Sequence, residues 1–423
     1  MHQYHGTASV LFRLALALLL DDRPTDAHDT FGQISKGAPD YVCSLIGEYE
    51  SAIPSYSDAV DGEIRQKIDA RFDAVRSGTL GREPIPLAAG EGDFSGLSVM
   101  IVGPSRTNRF FPNDCVDQYV ATGIECGISV RAYSDDVIVY GSEARCSDAA
   151  ARKHLADFAT AVEDERPDVL MLDCGFASNP RTITPAFIHD LRQRCACRVV
   201  CLMRDCLDDN VAITEEWITV ADTLVVGDPK AAIYSDKYRD LHAKVLTLPT
   251  IPTERALYHG DGARRDLPLT FIGSVFHPSR PMVLSALLTA DVAFEAVFGD
   301  RRRDVAPTKE GYVAFLRRSR ATLNISVHSE TERLVTARVW QAIACGTVLV
   351  EQENVGTASF FVPYLHYLPW NNVADIVQTA RFLEKNDDYR KRIARAGSDW
   401  YLQHYNAARL WTTLLNHACS KRA

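Results

Sequence analysis

The residues best suited to chemistry cluster in the second half of the chain. Phe271-Ile272-Gly273-Ser274 reads as a buried strand entering a small-residue turn, and Arg280 follows it. Gly273 and Ser274 permit close backbone approach, so N–H groups at the start of the following helix could face an anion favoured by the helix dipole. Further along, Arg338-Val-Trp340-Gln341-Ala-Ile-Ala344-Cys345-Gly346 reads as a helix with a glycine C-cap, followed at once by a buried strand ending at Glu351. Arg338 and Gln341 share one helical face at i and i+3. A local basic patch can neutralise phosphates, so a small anionic ligand is compatible with this set. The blander reading of Arg280 is a surface cap or ion pair, that of Trp340 is core, and His277, His328, His366 and His404 read as structural because no Ser or Cys partner pattern surrounds them.

In the first half, strand ends carry Gly103 to Thr107, Asp173 to Ala177 and Arg204-Asp205. Asp173 and Asp205 are the carboxylates available to take a proton there; the alternative is that Asp173 caps a turn and Asp205 pairs with Arg204. Asp135-Asp136 and Asp208-Asp209 read as solvated loop charges, and no D-x-D-like dyad stands at a strand end near the second half, so neither metal nor cofactor is expected. Cys195, Cys197, Cys201 and Cys206 match no zinc or iron–sulfur spacing, and the apolar residues among them favour core thiols over a metal site.

The elements that must position these residues follow an alternating pattern. Short apolar runs at Leu97–Val102, Val169–Asp173, Arg198–Met203 and Thr223–Val226 read as strands, with Ser129–Tyr133 as a further one, and helical stretches at Cys115–Gly123, Ala149–Glu165, Pro185–Cys195 and Ile213–Ala221 separate them. A second series opens at Leu269–Gly273, with strands at Ala293–Phe298, Thr322–Ile325 and Val348–Glu351. Its helices are expected at Pro281–Thr289, Lys309–Arg317 and Thr336–Ala344, with two more covering Val373–Ala396 and Ala407–Cys419. The fold class is therefore α/β: two doubly wound Rossmann-like domains facing a cleft, where open sheets bind ligands beyond the carboxyl ends of their strands. Residues 1–77 form a helical extension, 78–96 a Gly- and Pro-rich linker, 97–250 an N-terminal domain and 251–423 a C-terminal domain. Within the extension, Ala15 to Ile34 resembles a degenerate tetratricopeptide hairpin, a unit that cannot bury its apolar face alone and so must dock on the body of the protein or on another subunit.

Composition bounds the partners. At 423 residues, with 46% hydrophobic and 24% charged side chains, the chain has the balance of a multidomain globular protein. A net charge of −9 argues against nucleic acid as a partner recognised through the overall field. Arg13 interrupts the one segment that imitates a signal peptide, no apolar run reaches membrane-spanning length, and the 11 cysteines then read as reduced thiols of a cytoplasmic protein.

The stretch from Arg338 to Gly346 resembles the R-x-x-E-x-x-A-x-G element of CgeB-like GT-B glycosyltransferases, which is itself similar to the E-A-x-A-x-G element of glycosyltransferase family 4. Phe271-Ile-Gly273-Ser274 with Arg280 and Leu284, then Tyr312, Leu316, Ser319 and Leu323-Asn324, then Asp387-Asp388-Tyr389-Arg390 through Gly397, His404 and Arg409, resemble the family in the same order. The resemblance covers about residues 268 to 412. It implies a metal-independent glycosyltransferase whose C-terminal half binds a nucleotide diphosphate sugar through Gly273, Ser274, Arg280, Arg338 and the segment holding Glu330, Glu332 and Arg333. The acceptor could be a glycan, a protein or a small molecule, and the helical arm could join a protein partner or a second copy. Gln341 stands where the family carries a glutamate on the donor ribose, and the partner position of family 4 falls on Arg333, with Glu330 or Glu332 beside it to serve sugar hydroxyls. That departure leaves a catalytically retired binding or scaffold protein as the alternative, with an epimerase or phosphorylase further off.

Overall fold

A computed structural model of the chain describes residues 56–81, 84–87, 94, 96–104, 114–135, 148–174, 183–204, 206, 211–249, 251–259, 264–273, 280, 283–284, 287, 290, 292–298, 308–326 and 333–419. The tetratricopeptide-like hairpin expected at 15–34, together with Ser274, Glu330, Glu332, Asp205, His277, His328, Asp136 and the Asp208-Asp209 pair, lies outside the described residues.

The first sheet is wholly parallel, in the order β2-β1-β3-β4-β5-β6. Its strands are β1 (Ser98–Gly103), β2 (Ser129–Ser134), β3 (Val169–Asp173), β4 (Arg198–Met203), β5 (Thr223–Val226) and β6 (Val245–Thr247). β3 and β5 are buried at every residue, as a sheet covered on both faces requires. The second sheet is also parallel, in the order β11-β10-β9-β7-β8. It comprises β7 (Leu267–Gly273), β8 (Phe294–Phe298), β9 (Ser319–Asn324), β10 (Val348–Gln352) and β11 (Leu368–Trp370). The strand order reverses between β1 and β3 in the first sheet and between β7 and β9 in the second. At such switch points the crossover helices diverge to opposite faces and leave a crevice beyond the strand ends.

Helices follow the expected alternation, with two adjustments. α1 (Asp58–Arg76) precedes the first sheet, and α2 (Asp114–Glu125), α3 (Asp148–Glu165), α4 (Pro185–Arg192) and α5 (Val211–Val220) connect its strands. α6 (Arg255–Tyr258), α7 (Lys309–Arg318), α8 (Ala337–Ala344) and α9 (Val355–Ala358) belong to the second half. The stretch read as one helix over 373–396 is two, α10 (Val373–Lys385) and α11 (Asp387–His404), because Asn386 leaves helical geometry at φ −119°, ψ 66°. The Pro-marked stretch Leu246 to Pro252, which reads from the sequence as the interdomain linker, overlaps β6, and β6 completes the first sheet.

Of the extension, the described part is α1, which packs on the second half of the chain. Along α1, Ile68 is fully buried in a cluster with Leu284, Phe382 and Ile393. Asp69 accepts from Arg392 at 2.6 Å and from Tyr389 at 2.8 Å, and Arg392 stacks over Phe72 at 3.7 Å.

The last helix, α12 (Ala407–Cys419), crosses back to the first sheet. Its Trp411 is fully buried, edge-on to Tyr119 at 5.6 Å, and donates from Nε1 to Thr122 Oγ1 at 3.1 Å. Thr223 of β5 bonds His417 at 2.9 Å. One apolar cluster consequently runs through both halves, from Tyr119 and Val200 to Trp340, Tyr405 and Trp411. Trp411→Ala removes the largest side chain of this junction together with a buried hydrogen bond. The expected cost is about 3–5 kcal/mol, read as a lower urea midpoint of the first unfolding transition.

Candidate functional site

The second sheet's switch point lies between the carboxyl ends of β7 and β9, at Gly273 and Asn324. Arg338, in the first turn of α8, reaches into this place. Its Nη1 donates to Asn324 Oδ1 at 2.6 Å, and its guanidinium lies 5.6 Å over the Phe271 ring. The group runs so close along the end of β7 that a Cβ added to Gly273 would sit 2.8 Å from Arg338 Nη2. A side chain at this position would displace the guanidinium from the end of β7. Behind α8, Gly346 adopts the left-handed conformation at φ 63° that turns the chain straight into β10.

Arg280 shares the locality. Burial pushes its guanidinium pKa down to about 10, and the charge of Arg338 adds to the fall. Two positive groups held together in a partly dry site favour an anion there. Arg333, half-buried, begins the segment leading into α8, and that segment is tied down where Leu334 N donates to Ser326 O at 3.0 Å and Asn354 Nδ2 donates to Leu334 O at 3.1 Å. The structure therefore brings together Gly273, Arg280 and Arg338 of the expected donor set, with Arg333 on the approach.

Gln341 is placed differently from a ligand contact. Its side chain is 4% exposed; Oε1 accepts from Tyr312 Oη at 2.8 Å and Nε2 donates to Tyr258 Oη at 3.2 Å. Tyr258 also accepts from Gln118 Nε2 of α2. Both ends of the amide are engaged inside the protein, in a chain of bonds linking α8 to the first half. A carboxylate there would lack the donor that Tyr258 receives and would bury a charge, which gives the amide a physical reason.

On the first sheet, the switch point between β1 and β3 holds Asp173 against Gly103. Asp173 is fully buried and accepts from Arg204 Nη2 at 3.0 Å, so Arg204 pairs with this residue. Asp135 is not a solvated loop charge: it is 8% exposed and bonds His154 of α3 at 2.8 Å. β2 ends one residue before it, so the carboxylate is drawn under α3. Cys197, Cys201 and Cys206 are buried in the core of this half, and among the described residues no group of three or more His, Cys, Asp or Glu could hold a metal. Trp340 is core, ringed by Phe360, Phe361 and Tyr405. His366 is structural too, accepting from Val362 N at 3.1 Å and stacked on Trp400.

Two residues of the site escaped the sequence reading. Asp228, just past β5, packs its carboxylate where a Cβ on Gly356 would meet Oδ1 at 2.7 Å, which brings the carboxyl ends of the two sheets together. Desolvation raises its pKa. Glu351, next to last in β10, has no exposed surface, and burial raises its pKa from 4.5 to about 8 against the opposing hydrogen bond from Asn324 and the charge of Arg338. The signal for Glu351 was a charged residue following the apolar run of the strand.

A family model described as glycosyl transferase-like matches residues 270–416. No curated protein matches the chain. Among solved structures, HepE of Anabaena, crystallised with UDP and glucose, aligns over 77% of this chain and 100% of its own at TM-score 0.51 and 7% identity. Sucrose-phosphate synthase of Thermosynechococcus elongatus aligns over 77% and 100% at TM-score 0.52 and 10% identity. An α-glucosyltransferase, crystallised with UDP and a 13-mer DNA containing an HMU base, aligns over 76% and 99% at TM-score 0.50 and 12% identity. The fold is GT-B, an α/β arrangement of two doubly wound sheets. Among the described residues no helix is long and apolar enough to cross a membrane.

The raised pKa of Glu351 gives a signed expectation. The folded state keeps a proton that the unfolded state releases, so the stability tied to it is fully present below pH 4.5 and is lost as pH rises through about 8. Glu351→Gln removes this loss. Urea unfolding at stepped pH should show the variant gaining on the parent between pH 5 and 8, by an amount on the order of a few kcal/mol; a constant difference would mean that the carboxyl titrates normally.

Proposed function

We propose that this protein is a glycosyltransferase that binds a nucleotide diphosphate sugar at the β7–β9 switch point and transfers the sugar to an acceptor in the cleft. The observation that carries the reading is Arg338 beside Gly273, with Arg280 close enough to feel its charge, at the switch point of the second sheet. As the bond from the sugar to the diphosphate breaks, negative charge grows on the leaving oxygens. Fixed guanidinium groups in a dry site stabilise that charge more than they stabilise the ground state. The reading is metal-independent, since the arginines supply the neutralisation that a divalent ion would otherwise provide. Arg333 and the neighbouring Glu330 and Glu332 are assigned to the sugar hydroxyls, and Ser274 to a backbone contact with the diphosphate.

Support comes from the glycosyl transferase-like match over 270–416 and from the ligands of structures sharing the fold: HepE with UDP and glucose, and the α-glucosyltransferase with UDP. The finer assignment to the CgeB-like branch rests on Arg338, Ala344 and Gly346 in their spacing. Asp173, sealed beneath Arg204, is assigned to holding that arginine at the rim. If the reaction inverts, Asp205 is then the carboxylate left to take the acceptor's proton.

The engagement of Gln341 inside the protein favours one second reading, a GT-B protein that binds a nucleotide without turnover. Thermal-shift measurements with UDP, GDP, CMP and dTDP test binding: the cognate nucleotide at a hundredfold its Kd should stabilise by about 2.7 kcal/mol. Arg338→Met should weaken that binding by about ten- to a hundredfold. Release of nucleotide from a panel of nucleotide sugars then separates the readings, with turnover supporting transfer and binding without turnover supporting the scaffold. No stabilisation by any of the nucleotides would defeat the donor site.

A further inference from the structure

β10 is apolar from Val348 to Val350 and then carries a glutamate with no exposed surface. Burying a carboxyl costs free energy that local bonds must offset. Parallel register sets Glu351 beside Asn324, and Asn324 Nδ2 donates to Glu351 Oε2 at 2.7 Å. On the opposite side, Asn324 Oδ1 accepts from Arg338 Nη1 at 2.6 Å. The asparagine itself is fully buried, and Trp370 Nε1 fixes its backbone by donating to its carbonyl at 3.2 Å.

An asparagine amide has one accepting and one donating end, and its neighbours decide which faces where. A guanidinium only donates, so Asn324 serves Arg338 only with its oxygen forward. Glu351 supports that orientation from the NH2 side. Whether ionised or protonated, a carboxyl offers an oxygen to an NH2 group, while its second oxygen, 3.4 Å from Thr357 Oγ1, can settle with the hydroxyl. Without Glu351 the NH2 group loses its acceptor and the amide is held on its oxygen side alone, by Arg338 and by Thr336 Oγ1 at 3.4 Å, so the guanidinium loses a fixed partner at the end of β7.

We propose that Glu351 is a positioning residue for the anion site: through Asn324 it fixes the direction in which Arg338 presents its guanidinium beside Gly273. The proposal rests on the reading of Arg338 as a contact for the diphosphate. Glu351 itself touches no part of a ligand in this scheme, so its effect must pass entirely through Asn324 and Arg338.

The test compares Glu351→Met, which keeps length and removes the acceptor, with Glu351→Gln, which restores an oxygen for Asn324. Calorimetric affinities are measured for UDP and GDP and for uridine and guanosine, with thermal unfolding confirming that each variant is folded. Glu351→Met should lose about tenfold in affinity for the nucleoside diphosphate that the parent binds, with the corresponding nucleoside unaffected, and Glu351→Gln should recover to within about twofold. In an Arg338→Met background the Glu351→Met change should have no further effect, as expected when two residues act through one contact. Equal losses for nucleoside and nucleoside diphosphate, or no loss in Glu351→Met while Arg338→Met weakens binding, would overturn the relay and leave the donor site standing. If Arg338→Met binds nucleoside diphosphates as the parent does, the donor-site reading fails first and the relay with it. Should Glu351→Met not fold, Asn324→Ala serves in its place and should show the same loss confined to the diphosphate.

Discussion

A guanidinium at the end of a buried strand can be held only where acceptors are aimed at it, and that constraint organises the second half of this protein. Arg338 sits between the glycine that ends β7 and the asparagine that ends β9. A side chain at Gly273 would push the guanidinium away, and the demand for an acceptor defines the orientation of Asn324. That orientation in turn rests on a carboxyl one strand further along the sheet. Each requirement falls at the carboxyl end of a parallel strand, so the register of β7, β9 and β10 sets the geometry around the Arg338 guanidinium.

The two halves are joined by polar bonds as well as by apolar burial. Gln118, Tyr258, Gln341 and Tyr312 form a line of hydrogen bonds from α2 through α6 to α8 and α7. Tyr401 of α11 reaches Thr253 of the connecting segment at 2.6 Å, and α12 lies on the first sheet. The helix that carries Arg338 is therefore braced from the far side by the same residue, Gln341, whose amide departs from the glutamate of the resembling family. In this chain that position works as a structural brace.

Much of this architecture was legible in the residues. β3, β4 and β5 coincide with uninterrupted apolar runs, since strands covered on both faces leave no room for polar alternation. Gly273, Arg280 and Arg338 were legible as a group only through the ordered resemblance of four segments, since each residue alone has an ordinary structural use. What was not legible depends on contacts between distant segments. β11 is a three-residue edge strand containing Pro369, and such a composition reads as a turn. Asp135 looked like half of an acidic loop because its partner, His154, lies on a helix 19 residues on. The role of Gln341 depends on Tyr258 and Gln118, which no local pattern connects to it. The crossing of α12 to the first sheet likewise follows from Trp411 meeting Thr122 and Tyr119, residues separated from it by most of the chain.

The central claim is that the β7–β9 switch point is a seat for the diphosphate of a nucleotide. A crystal structure of the full chain with the nucleotide selected by thermal shift tests it most directly. The account requires the diphosphate oxygens to lie within hydrogen-bond distance of the guanidinium groups of Arg280 and Arg338, about 3 Å, with the backbone at Gly273 alongside. A nucleotide bound elsewhere in the cleft, with Arg338 still turned only to Asn324, would contradict it.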